Sequence, residues 1–155
     1  MKGDANMTEK GNQQFIFGII FLLANKLQLL GDKVTGEITL KQWFLLNILS
    51  QMEEEFPNYN DIAGAVGTSR QNVSKMISAL NKKGMVELKP SETDQRAIYV
   101  TLTQKSLKYF ESKDDAGNLL LDKLFAGFST EETEQIAFLL GRILQNAEIC
   151  LKEDK

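Results

Sequence analysis

The sequence predicts a mainly α fold with one small β-hairpin, and three observations predict it. Apolar residues recur every three or four positions over long stretches, the period of helices with a buried face. Around residues 86–102 the period drops to two on both sides of a turn-rich loop, as in two paired strands. Capping residues and glycines cut the helical stretches at definite places. A chain of 155 residues, 43% hydrophobic and 25% charged, is long enough for an ordinary core and does not read as disordered.

Each element can be justified in order. Residues 1–12 are polar and are expected to form a flexible N-terminus, with Met1 and Met7 both open as the true start. The run Phe15–Ala24, FIFGIIFLLA, opens a first helix expected over 13–31. That run is far shorter than the roughly 20 residues of a membrane span. Asp4 and Glu9 before it, with no small-x-small cleavage site, argue against a signal peptide. A helix apolar nearly all round must be covered on more than one side, and a second subunit is the natural cover. Thr39 and Gln42 cap a second helix carrying Trp43, Leu46, Ile48 and Leu49.

Asn58 and Asp61 open a third helix, with Ile62, Ala63 and Val66 on one face and Gly67 at its end. Thr68 and Gln71 read as a capping box for a fourth helix. Val73, Ile77 and Leu80, with Met76 alongside, form its buried stripe, and Gly84 ends it after Lys82 and Lys83. Val86 and Leu88 then alternate with Glu87 and Lys89, and Ile98, Val100 and Leu102 with Tyr99 and Thr101. The intervening Pro90-Ser91-Glu92-Thr93-Asp94-Gln95 is too long for a two-residue hairpin turn. Two short helices joined by a tight turn and followed by a hairpin are the layout of a winged helix-turn-helix, expected over 39–103.

The remainder, 104–152, reads as further helices. Leu107, Phe110, Leu120, Leu121, Leu124 and Phe128 recur at helical intervals, and Ser129 with Glu132 opens the last helix. Ile136, Leu140, Ile143, Ala147 and Cys150 form its stripe, which Leu139, Leu144 and Leu151 widen beyond what one neighbouring helix covers. The expected organisation is a single domain over 13–155, in which 13–31 and 104–152 are dimerisation helices intertwined across a two-fold axis.

The fourth helix supplies the chemistry. Ser69, Arg70, Gln71, Ser74, Lys75 and Ser78 lie off its apolar stripe and include no acid. Arg pairs with guanine, Gln with adenine and Ser with either, while Lys suits phosphate. The competing reading is an ordinary solvated helix face. In the hairpin loop, Arg96 is placed to enter a narrow minor groove, with Lys89 nearby and Asp94 able to hold the guanidinium. The competing reading there is a loop-stabilising ion pair.

Asp94-Gln95-Arg96 followed by Leu102-Thr103, with IAGAVGTSRQNVSKMISALNKKGMV upstream, resembles the signature of the MarR (multiple antibiotic resistance regulator) family. The resemblance extends by pattern over residues 13–152. It implies a homodimeric DNA-binding transcription regulator, a repressor on a pseudo-palindromic operator, released by a small phenolic or other effector or by an oxidant. It implies that the Arg matching Arg96 contacts the minor groove and that Ser69 to Lys83 reads the major groove. It also implies an effector pocket between the dimer region and the reading head, for which Phe17, Trp43, Phe44 and Tyr59 are candidate aromatic walls. The competing reading makes those four aromatics core. Two positions depart from the family pattern. Gln95 stands where a second basic residue is common, and Ser106 where Gly is. The weakly cationic wing tip supports an alternative function, a winged-helix protein-interaction module without specific DNA binding.

Charge distribution agrees with DNA as the partner. Between Thr68 and Lys105 there are seven cations and three acids, a local balance of +4 in a chain whose total is −3, which leaves −7 for the rest. A basic face on an acidic body suits a sequence reader. The chain has no His and one Cys, so an intrachain disulfide and a Cys/His zinc site are both excluded. No metal, cofactor or catalytic residue is expected, since the commonest general base and a glycine-rich phosphate loop are both missing. Cys150, on an apolar stripe with no cations before it, lacks the setting of a reactive thiolate. The expected location is the cytoplasm, with no membrane partner.

Overall fold

The computed structural model describes residues 8–53, 57–90 and 98–153. Six helices and one hairpin follow in the order α1 (Glu9–Thr35), α2 (Leu40–Gln51), α3 (Tyr59–Val66), α4 (Arg70–Lys82), β1 (Val86–Pro90), β2 (Ile98–Leu102), α5 (Gln104–Leu124) and α6 (Thr130–Glu153). The chain divides into two compact units, Met1–Asp114 and Asp115–Lys155. The division falls inside α5.

In the first unit, the Thr8 hydroxyl accepts from the Gly11 amide at 3.2 Å and starts α1. Residues 9–12, expected to be flexible, are therefore its first turn. α1 also runs on to Thr35, through Asn25, Lys26 and Gln28, and so is longer than the apolar run on which the sequence reading rested. Among the described residues it is one helix long and apolar enough by length and composition to cross a membrane, with mean hydropathy 1.5 over its most apolar window. Core helices of water-soluble proteins meet the same criterion.

The C-terminal end of α1 is firmly docked. A Cβ on Gly31 would lie 2.6 Å from both Leu40 methyl carbons, so any larger residue there would have to displace the Leu40 side chain. Asp32 accepts from the Leu40 amide at 2.6 Å. Buried Thr35 donates to the Ile38 carbonyl at 2.6 Å, and Tyr109 of α5 donates to the Thr35 carbonyl at 2.8 Å. Burial first, and then the negative charge of Glu37, pushes the Tyr109 phenol up to about 12.

The core is built by α2, α3, α4 and the hairpin. Leu45, Leu46, Ile62, Val73, Ile77, Leu80, Met85, Val86 and Val100 are buried together, with Trp43, Val66 and Met76 packed at the margin. The expected cap pairs at Thr39/Gln42 and Asn58/Asp61 are both present in full. β1 and β2 pair antiparallel with Val86 opposite Leu102 and Leu88 opposite Val100, so the expected alternation faces the core. Ile98, predicted on the same face, is exposed because it pairs with Pro90 at the loop end, beyond the edge of the core. One pairing has no signal in the hydrophobic pattern. Asn58 bridges Tyr99, and the Val100 amide donates to the Pro57 carbonyl at 3.0 Å, which fastens the start of α3 to β2.

Thr103 joins the hairpin to α5. Its hydroxyl donates to the Gly84 carbonyl at 2.7 Å and accepts from the Ser106 amide at 3.3 Å. Ser106 is fully buried and its hydroxyl donates back to the Thr103 carbonyl at 2.7 Å. The serine thus bonds into the start of α5 and leaves its own hydroxyl satisfied.

The second unit contains the end of α5 and α6. Ser129 and Glu132 form the expected reciprocal cap, at 3.2 Å and 2.8 Å. Phe125 and Phe128 meet edge to face with centroids 5.9 Å apart. α6 has no buried residue, and its stripe stands open, with Leu144 63% and Leu151 69% exposed.

Candidate nucleic-acid interface

Two left-handed glycines set the position of α4. Gly67 has φ +71°, and the Thr68 amide donates back to the Ala63 carbonyl at 3.1 Å. Gly84 has φ +68°; its amide donates to the Asn81 carbonyl at 2.9 Å and the Met85 amide to Leu80 at 3.0 Å. These bonds form the reverse turns that satisfy the last carbonyls of α3 and α4. α4 therefore starts and stops abruptly, with Leu80 and Met85 both fully buried beneath its end.

The N-cap of α4 differs from the expectation by one residue. Ser69, not Thr68, accepts from the Asn72 amide, at 3.3 Å. Thr68 instead accepts from the Asn72 side-chain amide at 3.2 Å, so the Thr68–Gln71 capping box does not form. The turn at Gly67 uses the Thr68 amide, and the residue after it takes the extended backbone an N-cap needs.

The other residues proposed for base and phosphate contact fall where the stripe argument puts them. Arg70, Gln71, Ser74, Lys75 and Ser78 are all exposed, opposite buried Val73, Ile77 and Leu80. Exposed Lys89 lies on β1, paired with Tyr99. Asp94 and Arg96 lie outside the described residues.

The C-terminal end of α4 is tied to the α1–α2 connection. Lys83 donates to the Glu37 carbonyl. Lys105 of α5 bridges the Glu37 carboxylate at 3.1 Å and the Lys83 carbonyl at 2.8 Å. Two cations thus meet the negative end of the helix while its N-terminal half stays open. The sequence showed the lysines but not their partners, which are 46 and 68 residues away in the chain.

Beside this face lies a cavity of about 750 Å³ between α2 and α4. Its apolar lining is Leu40, Trp43, Phe44, Val66 and Met76, and its polar lining is Lys41, Thr68, Asn72 and Lys75. Two of the four aromatic candidates, Trp43 and Phe44, are therefore brought together. Phe17 lies elsewhere on α1, 68% exposed and 5.1 Å from the ring of Phe21. Tyr59 is packed at the margin of the core. Periodicity marks aromatic positions on a helix but not which helix faces them, so it could not separate the two pairs. Asn72 and Thr68 were missed as lining residues; their short polar side chains resemble those of any turn.

Among the described residues, no group of three or more His, Cys, Asp or Glu side chains is placed to hold a metal ion. Cys150 is exposed on α6.

A model of the MarR family matches residues 38–98, the segment from the end of the α1–α2 connection to the start of β2. The uncharacterised HTH-type transcriptional regulator YfiV of Bacillus subtilis is 33% identical over 91 residues, 57% of each chain. The transcriptional repressor MprA of Escherichia coli is 25% identical over 96 residues, 62% of this chain and 54% of that one. The matches thus span little more than half the length of these relatives. The S. aureus MepR structure, solved as a DNA complex, superposes with a TM-score of 0.75 at 22% identity, covering 83% of this chain and 95% of its own. The relatives named are transcriptional regulators, the fold is shared with solved winged-helix regulators, and residues 38–98 are similar to the MarR family.

Proposed function

We propose that this protein is a sequence-specific DNA-binding transcriptional regulator, a homodimeric repressor that reads a pseudo-palindromic operator. The observation that carries the reading is the exposed face of α4. It presents two cations, an amide and hydroxyls with no acid, on a helix whose opposite side is locked into the core. Ser69, Arg70, Gln71, Ser74, Lys75 and Ser78 would contact bases and phosphates in the major groove, with Lys89, Asp94 and Arg96 acting from the wing. The MprA and MepR names, a repressor and a DNA complex, support the same reading.

A second copy of the chain is proposed to cover the apolar faces of α1 and α6. Lipid is the poorer cover, because α6 carries Glu131, Glu132, Glu134, Arg142 and Glu148 among its exposed leucines. The same argument favours the cytoplasm. Residues 13–31 and 104–152 would be the dimerisation region and 39–103 the reading head. Two reading helices would then meet half-sites about 34–36 Å apart. The proposed effector pocket is the Trp43/Phe44 cavity.

The test is selection of bound duplexes from a random DNA library at about 150 mM salt, where non-specific binding is weak. An enriched inverted repeat is the expected result. No enrichment by a folded dimer would turn the reading to a winged-helix module that binds protein partners.

A further inference from the structure

We propose that Glu37 is a positioning residue for the reading helix. With Lys83 and Lys105 it forms a clasp that holds the C-terminal end of α4 to the α1–α2 connection, and neither lysine touches DNA. What the clasp does for DNA binding rests on the reading above; the clasp itself does not.

Three connections of the chain meet here. Lys105, at the start of α5, donates to the Glu37 carboxylate at 3.1 Å and to the Lys83 carbonyl at 2.8 Å. Lys83, in the turn after α4, donates to the Glu37 backbone carbonyl. The links close a ring through Glu37, Lys83 and Lys105. An isolated ion pair between half-exposed side chains contributes little. This pair is not isolated, since one ammonium serves two oxygens and the backbone on either side is already fixed. Glu37 lies between buried Thr35 and Ile38, and its amide donates to the Thr35 carbonyl at 2.7 Å. On the other side, the Thr103 hydroxyl donates to the Gly84 carbonyl at 2.7 Å and the Thr103 amide to the Met85 carbonyl at 3.2 Å. Little further entropy is lost in closing the ring.

Charge separates the clasp from a DNA contact. The basic balance of residues 68–105 counts both lysines, and committing them to Glu37 leaves five cations against three acids. Buried Val73, Ile77 and Leu80 fix the rotation of α4 about its axis, but a helix can still tilt over its buried middle. Arg70, Gln71, Ser74 and Lys75 lie toward its open N-terminal end, so their placement is governed from the far end, where the clasp grips. An acid then strengthens binding to a polyanion, the reverse of what its charge alone dictates.

The test is Glu37→Met and Lys105→Met on a duplex selected from the library, titrated at several salt concentrations. Charge alone predicts tighter binding once Glu37 is lost. The clasp predicts an apparent Kd about tenfold higher for each variant, and no higher for the pair than for Lys105→Met alone. The salt slope should keep the parent's value, whereas loss of a phosphate contact reduces it by about 0.9. Lys105→Arg, which keeps the charge and the reach, should bind like the parent. Both positions are exposed, so the variants should remain folded, as circular dichroism would check. A Kd unchanged or lowered, or a slope reduced by about 0.9, overturns the positioning role. Hydrogen exchange reads the clasp without DNA. The Gly84 and Met85 amides, bonded to Asn81 and Leu80, should exchange about tenfold faster in Lys105→Met while amides of α6 keep their rates. Unchanged exchange at both overturns the clasp. If the parent selects no duplex, the DNA reading falls and the exchange rates still decide the clasp.

Discussion

α4 and α6 carry the same kind of apolar stripe and meet opposite fates. In α4, Val73, Ile77 and Leu80 are fully buried under α2, α3 and the hairpin. In α6, Ile143 and Leu140 repeat at similar spacing, yet the helix buries nothing. Periodicity states that a stripe will be covered; it does not state by what. The difference teaches that one stripe is a core, while the other is covered only in the dimer proposed above. That contrast can be broken by mutation.

The largest effect should come from the core side. Ile77→Ala should cost about 2–5 kcal/mol, the range for cavities left by large aliphatic side chains. In a chain of this size each kcal/mol lowers the melting midpoint by about 2–4 °C, readable by circular dichroism at any protein concentration. Leu144→Asp on α6 should act differently. Sedimentation should show dimer giving way to monomer, and whatever stability is lost should depend on concentration. If Leu144→Asp destabilised the protein equally at all concentrations, α6 would be core and the contrast would fail.

The sequence made much of this legible because the signals were local. The caps at Thr39, Asn58 and Ser129, the glycines at 67 and 84 and the period-two strands depend on residues within one turn of each other. The bonds that went unseen join distant parts of the chain. Tyr109 to Thr35, Lys105 to Glu37 and Val100 to Pro57 have no periodic signature, since any hydroxyl, cation or amide would look the same. The candidate site divided along the same line. The exposed face of α4 follows from the stripe opposite it. The cavity needed the placement of α2 against α4, which no spacing within either helix encodes.

Within the reading head, the next effects separate base contact from phosphate contact. Arg70→Ala should lose about 1–3 kcal/mol at particular base pairs and relax preference there, checked by competition among operator variants. Lys75→Ala should lower affinity more evenly and flatten the salt dependence. Selective loss of one base preference in Lys75→Ala would put this lysine among the base readers.

Tyr109→Phe tests the clasp that joins α5 to the end of α1. The substitution removes the hydrogen bond from the Tyr109 hydroxyl to the Thr35 carbonyl and should cost about 1–3 kcal/mol. It should also change the alkaline limb of stability. The phenol is raised from 10.0 to about 12 in the folded protein, so the neutral form is favoured by folding. Its contribution is present in full below pH 10 and is lost as pH rises toward 12. The phenylalanine variant should lack that component in urea titrations taken across the same pH window.

The smallest effect decides which residue starts α4. Ser69 accepts from the Asn72 amide, whereas Thr68 binds only the Asn72 side chain. Loss of an N-cap typically costs about 1 kcal/mol, while loss of an exposed side-chain contact costs a few tenths. Ser69→Ala should therefore lower stability more than Thr68→Ala, and Ser69→Gly should recover most of the loss because glycine tolerates the cap backbone. The reverse ranking in denaturant titrations would move the start of α4 back to Thr68. The aim of Arg70, Gln71 and Lys75 would not change, because buried Val73, Ile77 and Leu80 fix the rotation of α4 whichever residue caps it.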